Sequence, residues 1–165
     1  MPGYKGHLVG GIIAFVLLFV GLMSIIIAQQ PSYLMIGEWL LCALAGALFP
    51  DIDVKSKGQK YFYYVALVCL MVLAYQQRFH MLTCFSFVMI TPMLVRHRGI
   101  FHSPRFVIAL PLLVWVIIAT LLPQRSSQLF VDTMFFIGGA LSHLWLDFGT
   151  RQFLWKLFPR KKKRW

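Results

Sequence analysis

The chain has 165 residues, of which 59% are hydrophobic and only 13% charged, with a mean hydropathy of +0.74. Soluble domains run at about 45–50% apolar and about 25% charged, so a water-soluble helical globule would lack the polar exterior it needs. The composition therefore implies an integral membrane protein, and the length implies a single domain. The net charge of +11 could point to nucleic acid, but the placement of the basic residues explains it by membrane topology, and no nucleic-acid partner is expected.

Leu8 to Ala28 is the first apolar run. It follows Lys5 and imitates a signal peptide, but it ends Ile-Ile-Ile-Ala-Gln-Gln-Pro without a small-residue cleavage site, so it reads as an uncleaved first span. After a Gln29–Ser32 turn, Tyr33 to Phe49 is apolar apart from Glu38 and stops at Pro50; a polar loop is expected from Asp51 to Lys60. Tyr61 to Tyr75 and Met81 to Val95 are two further runs, each short against the ~20 residues a span needs. Their polar-aromatic flanks can extend them to full length. Pro104 to Leu122 and Leu129 to Phe148 complete a set of six. The expectation is an all-α, polytopic bundle of about six spans, with four spans plus a buried 61–95 hairpin as the alternative. Ser103-Pro104 reads as an N-cap followed by proline at the first helical position, and Pro92 and Pro111 as kinks. Cys42, Cys69 and Cys84 stand singly in apolar runs and read as reduced, space-filling thiols. Residues 1–159 form the bundle, and 160–165 a basic tail that anchors the topology.

Six crossings return the chain to its starting side before Leu8, at 50–60, at 96–103 and after Phe148. Deleting the 61–95 pair leaves that parity unchanged. Fourteen of the sixteen basic residues fall on this side, and only Arg78 and Arg125 fall opposite. That asymmetry puts both termini in the cytoplasm.

The same side collects the ligand-capable residues. Three of the five acids and four of the five histidines lie in four islands: Lys5-Gly6-His7, Pro50-Asp51-Ile52-Asp53, His97 to Pro104, and Ser142 to Asp147. Ionisable groups are costly near lipid, so their concentration at one face points to a site. His143 and Asp147, four apart on a helical run, project from one face one turn apart. His97 and His102 flank Arg98-Gly99 and fit a helix-turn-helix corner. Asp51 and Asp53 share a loop after a helix end, and His7 opens the first helix. The candidate metal ligands are thus His7, Asp51, Asp53, His97, His102, His143 and Asp147. Imidazoles and carboxylates without thiolate suit zinc, with manganese or iron as alternatives, and seven groups exceed what one tetrahedral ion takes, so two ions are expected.

These motifs carry a resemblance. Gly6-His7, Pro50-Asp51-Ile52-Asp53, His97-Arg98-Gly99 with His102-Ser103, and Ser142-His143-Leu144 with Asp147, in that order, resemble the YdjM/YbcI-like family of bacterial membrane-bound proteins classed as metal-dependent hydrolases. The resemblance covers nearly the whole chain and implies a helical protein of the bacterial inner membrane with a His/Asp metal centre. One departure is Phe101, where a small or hydroxylated residue is expected before the second histidine.

The expected chemistry is hydrolysis at headgroup depth, with metal-activated water attacking a phosphorus or carbonyl centre. Whichever of Asp51 and Asp53 does not ligate serves as the catalytic proton acceptor. Lys55, Arg98 and Arg105 would hold an anionic headgroup, giving a phospholipid or polyprenyl-phosphate substrate and membrane lipids as partners. A metal or proton transporter and a non-catalytic membrane scaffold are the rival classes. The transporter wants ionisable groups through the bilayer, for which Glu38 is the candidate.

Overall fold

The structure is a computed structural model that describes residues 3–25, 31–53, 57–75, 77, 86, 101–121 and 123–157. Among these residues it is entirely helical. Five α-helices follow in chain order: α1 (Tyr4–Ile25), α2 (Tyr33–Leu48), α3 (Lys57–Tyr75), α4 (Pro104–Leu121) and α5 (Ser126–Leu157). Short 3-10 turns at Phe49–Asp53 and Pro123–Arg125 lead out of α2 and into α5.

Local signals set the ends. Ser32 caps α2 by accepting a hydrogen bond from the Met35 amide at 3.3 Å. Pro104 is the first residue of α4, as its fixed φ and missing N–H favour, and the Ser103 carbonyl accepts from the Val107 amide at 3.1 Å. Pro111 lies inside α4. The Trp115 indole donates to the Ser126 carbonyl at 2.9 Å, tying α4 to the start of α5 across the turn. α5 continues beyond the expected end at Phe148 because Gly149, at φ 67°, turns the chain and a further helical segment follows to Leu157. Only glycine holds that backbone without strain.

Among the described residues, four stretches are long and apolar enough to cross a bilayer: Tyr4–Ser24, Tyr33–Asp51, Pro104–Leu121 and Ser126–Thr150. Four of the six expected runs are therefore present as such helices. The third run is helical as α3 but is not one of the four, and its helix takes in Lys57 to Lys60, which the sequence assigned to a loop. The fourth run, Met81 to Val95, lies outside the described residues apart from Ser86, as does Pro92.

α5 is the axis of the bundle: α1, α2 and α4 all pack on it, and α1 also packs on α2. The α2–α5 contact is backbone on backbone. A methyl added at Gly46 would strike the Phe136 carbonyl, and one at Gly139 the Ala43 carbonyl. Small residues are what allow membrane helices to close to this distance, since lipid leaves no hydrophobic drive between them. α1 fits alongside through Gly11, where an added methyl would sit 2.8 Å from the Ala47 methyl. Trp39 stacks on Phe135 at 5.3 Å in the half of the bundle near the α4–α5 turn. At the other end Phe49, Phe101 and Phe106 meet edge to face. Leu17, Val20, Leu41, Leu113 and Ile117 are exposed, as expected of side chains facing lipid.

Replacing Gly139 by Ala should destabilise the bundle by about 1–3 kcal/mol through overpacking. Gly37, on the same pair of helices but with open space around it, should gain up to about 1 kcal/mol as Ala, from helix propensity alone. Thermal unfolding in detergent measures both.

Candidate metal centre

The ends of four segments meet at one end of the bundle, each placed by the packing just described. His7 stands one turn before Gly10 and Gly11 on α1. Asp51 lies in the 3-10 turn that continues α2, and His102 immediately precedes α4. His143 and Asp147 sit on α5, one and two turns past Gly139 and Ala140. Phe101, fully buried between Phe49 and Phe106, pins the corner that delivers His102. Phe101 is therefore a structural wedge at this corner.

His143 is completely buried, and its Nδ1 lies 2.7 Å from the Ala47 carbonyl. A carbonyl only accepts, so Nδ1 carries a proton and Nε2 is the ring nitrogen turned to the neighbouring carboxylates. That Nε2 stands 3.5 Å from Asp51 Oδ1 and 3.4 Å from Asp147 Oδ2. His102 Nε2 is 3.7 Å from each of the same two carboxylates. His7 stacks on the His143 ring at 3.8 Å and places Nε2 3.5 Å from Asp147 Oδ1.

Asp51, His102, His143 and Asp147 each offer one ligand atom, and these atoms all lie within 4.8 Å of one another. The group could hold a metal ion, and the donor set tests that reading. His143 Nε2 and Asp147 Oδ1 are buried and make no hydrogen bond among the described residues. A buried convergence of carboxylates and imidazoles is stabilised by positive charge, supplied by a proton on an imidazole or by a metal ion. Two ligand atoms about 2.0–2.2 Å from a common tetrahedral ion stand about 3.3–3.6 Å apart. The observed contacts of 3.4 to 3.7 Å fall in or next to that range. The hydrogen bond from His143 Nδ1 to a main-chain carbonyl is also the usual device that orients a ligating imidazole.

The full set of sequence candidates divides as follows. His7, Asp51, His102, His143 and Asp147 come together. Asp53 belongs to the same 3-10 turn as Asp51, with its side chain outside the described set. Lys55, His97 and Arg98 lie outside the described residues, and so does the tail from 158 onward. Arg105 is exposed at the start of α4. Cys42 is a free, partly buried thiol away from the cluster. Lys156 places its ammonium 3.3 Å from the centroid of the Phe148 ring, and burial lowers its pKa from the ordinary lysine value.

A model of the YdjM inner membrane protein family matches residues 1–165. The chain belongs to the YdjM family. No curated protein and no solved structure matches it. The family description and the apolar helices together make this YdjM chain a membrane protein, and the His/Asp group is its candidate metal centre.

Two features of this YdjM protein escaped sequence reasoning. One is the Ala47 carbonyl, which a sequence cannot mark because the interaction is main-chain. The other is Asp132, an acid inside an apolar run and therefore a visible signal. Asp132 is buried in α5, and Glu38 on α2 accepts from the Gln128 amide at 3.0 Å in the same half of the bundle. Glu38 is thus not the sole intramembrane acid.

Cobalt(II) titration of purified protein should give the intense visible bands of a four-coordinate N/O site. His143→Ala and Asp147→Asn should each weaken binding by more than the 10–100-fold typical of outer-shell changes, while Asp132→Asn leaves the spectrum intact.

Proposed function

We propose that this protein is a membrane-embedded, metal-dependent hydrolase acting on a phosphate-bearing lipid at the cytoplasmic face. The observation that carries the reading is the convergence of His102 and His143 with the carboxylates of Asp51 and Asp147, whose ligand atoms all lie within 4.8 Å of one another. Both termini and the cluster lie on the cytoplasmic side in this reading, since fourteen of sixteen basic residues fall there. The four grouped donors supply one ion, zinc being the best match to imidazole and carboxylate, with manganese or iron as alternatives. A second ion would draw on His97 and on His7 beside Asp147.

Such an ion supplies Lewis-acid charge at the reacting centre and to the attacking water. Asp51 is grouped with the other donors, which leaves Asp53, two residues on in the same turn, to hold the proton released by that water. Arg105, exposed beside His102, and Lys55 and Arg98 hold the anionic headgroup. His143 and Ala47 keep the donor array in register while the substrate exchanges.

A transporter is the second reading, and Asp132 with Glu38 is what favours it. These two acids and the His/Asp cluster would form two stations along one bundle.

Release of water-soluble product from labelled phosphatidic acid, phosphatidylglycerol and polyprenyl phosphate tests the hydrolase. Asp53→Asn should reduce turnover by about 10²–10⁴-fold with metal content unchanged. If nothing turns over, and proteoliposomes instead move metal or protons in a manner lost with Asp132→Asn, the transporter reading replaces it.

A further inference from the structure

A cleft of about 380 Å³ runs between α1 and α5, within the range of small-molecule sites. Its floor is closed by direct contact of the two helices. A methyl at Gly10 would lie 2.6 Å from Leu146 Cδ1, and one at Gly138 would strike Leu18. From Gly10 to Leu17 the cleft follows α1 for about 10 Å, at about 1.5 Å per residue. Its lining is almost wholly apolar, and the Ser142 hydroxyl donates to the Gly139 carbonyl at 2.7 Å. The walls therefore offer an occupant hydrocarbon surface.

The cleft shares its two helices with part of the metal centre, His7 on α1 and His143 and Asp147 on α5. Gly10 lies one turn beyond His7, Ser142 adjoins His143, and Leu146 adjoins Asp147. Towards the α1 N-terminus the cleft ends at Gly10, one turn along α1 from His7. Cations flank that end: Lys5 is exposed two residues before His7, and Lys156 follows Phe153, which lines the cleft. Among the described residues no carboxylate lines it. Trp145 is exposed at the rim, with its indole donating to Thr150 at 3.0 Å.

We infer that the α1–α5 cleft seats one hydrocarbon chain of an anionic lipid, holding its phosphate end at the His/Asp cluster. This rests on the lipid-hydrolase reading for the role of the cluster. An extended chain fits, and an amphiphile matches an apolar slot that ends among cations and polar ligands.

The test uses the full-length protein in phosphatidylethanolamine/phosphatidylglycerol vesicles doped with phosphatidic acid carrying a mid-chain diazirine. After irradiation, label should concentrate on peptides holding Ile13–Leu18 and Leu141–Trp145, above the lipid-facing Leu113–Ile117 stretch of α4. Ala14→Trp should fill the cleft and cut that label at least tenfold, with metal content and unfolding temperature unchanged. Leu141→Trp provides the same blockage from α5 should Ala14→Trp fail to fold, and Val116→Trp on the exposed face of α4 should change nothing. Equal labelling of α4 and the cleft, or labelling undiminished by both fillings, overturns the inference. Equal cleft labelling by the phosphatidylcholine analogue overturns the anionic assignment. Cleft labelling with no turnover of any lipid sustains the cleft and removes the hydrolase; turnover without cleft labelling does the reverse.

Discussion

The close approach of α2 and α5 is the constraint on which the rest depends. Gly46 and Gly139 bring main chain against main chain, because each faces a carbonyl of the other helix. That contact fixes both distance and register, leaving no slack for either helix to slide. One turn further along, the same register puts the Ala47 carbonyl 2.7 Å from His143 Nδ1 and brings the turn after α2 to the face of α5. A shift of one residue would rotate His143 away from Asp51. In a bilayer, where apolar side chains gain little by leaving lipid for protein, such tight small-residue contacts carry helix association.

Around this pair the other segments are added in ways that serve the same end of the bundle. α1 lies in the groove beside α2 and α5 through Gly10 and Gly11, and so delivers His7 onto the His143 ring. The Phe49–Phe101–Phe106 aromatic group holds the corner that carries His102. The result is a polar, buried cluster of imidazoles and carboxylates, an arrangement that positive charge stabilises. The opposite half holds a different polar group, with Asp132 buried in α5 and Glu38 bonded to Gln128. The polarity inside the bundle is therefore concentrated at two levels separated by the apolar stretch of α5.

Much of this was legible in the sequence because the apolar runs, counted in pairs, return every island to one side whether four or six of them cross. Parity placed His7, Asp51, His102, His143 and Asp147 together without any tertiary detail. The spacing of His143 and Asp147 correctly implied one helical face. Sequence put His97 and His102 at one corner; Phe101 seats His102 there, and His97 lies outside the described residues. Sequence could not show which small residues touch, because Gly46 and Gly139 are two of twelve glycines and nothing local distinguishes them. The continuation of the last helix past Phe148 depended on a positive φ at Gly149, which a hydropathy reading cannot anticipate. Asp132 is visible as an acid in an apolar run, but its burial depends on helix packing that hydropathy does not encode.

X-ray absorption at the metal edge of protein purified with zinc tests the metal centre most directly. The account predicts a first shell of nitrogen and oxygen at about 2.0–2.1 Å without sulfur, together with the outer-shell scattering of two imidazoles. That imidazole signal should fall by half in His102→Ala. A sulfur-containing shell, or a first shell of water oxygens unaltered by His102→Ala and His143→Ala, would contradict it.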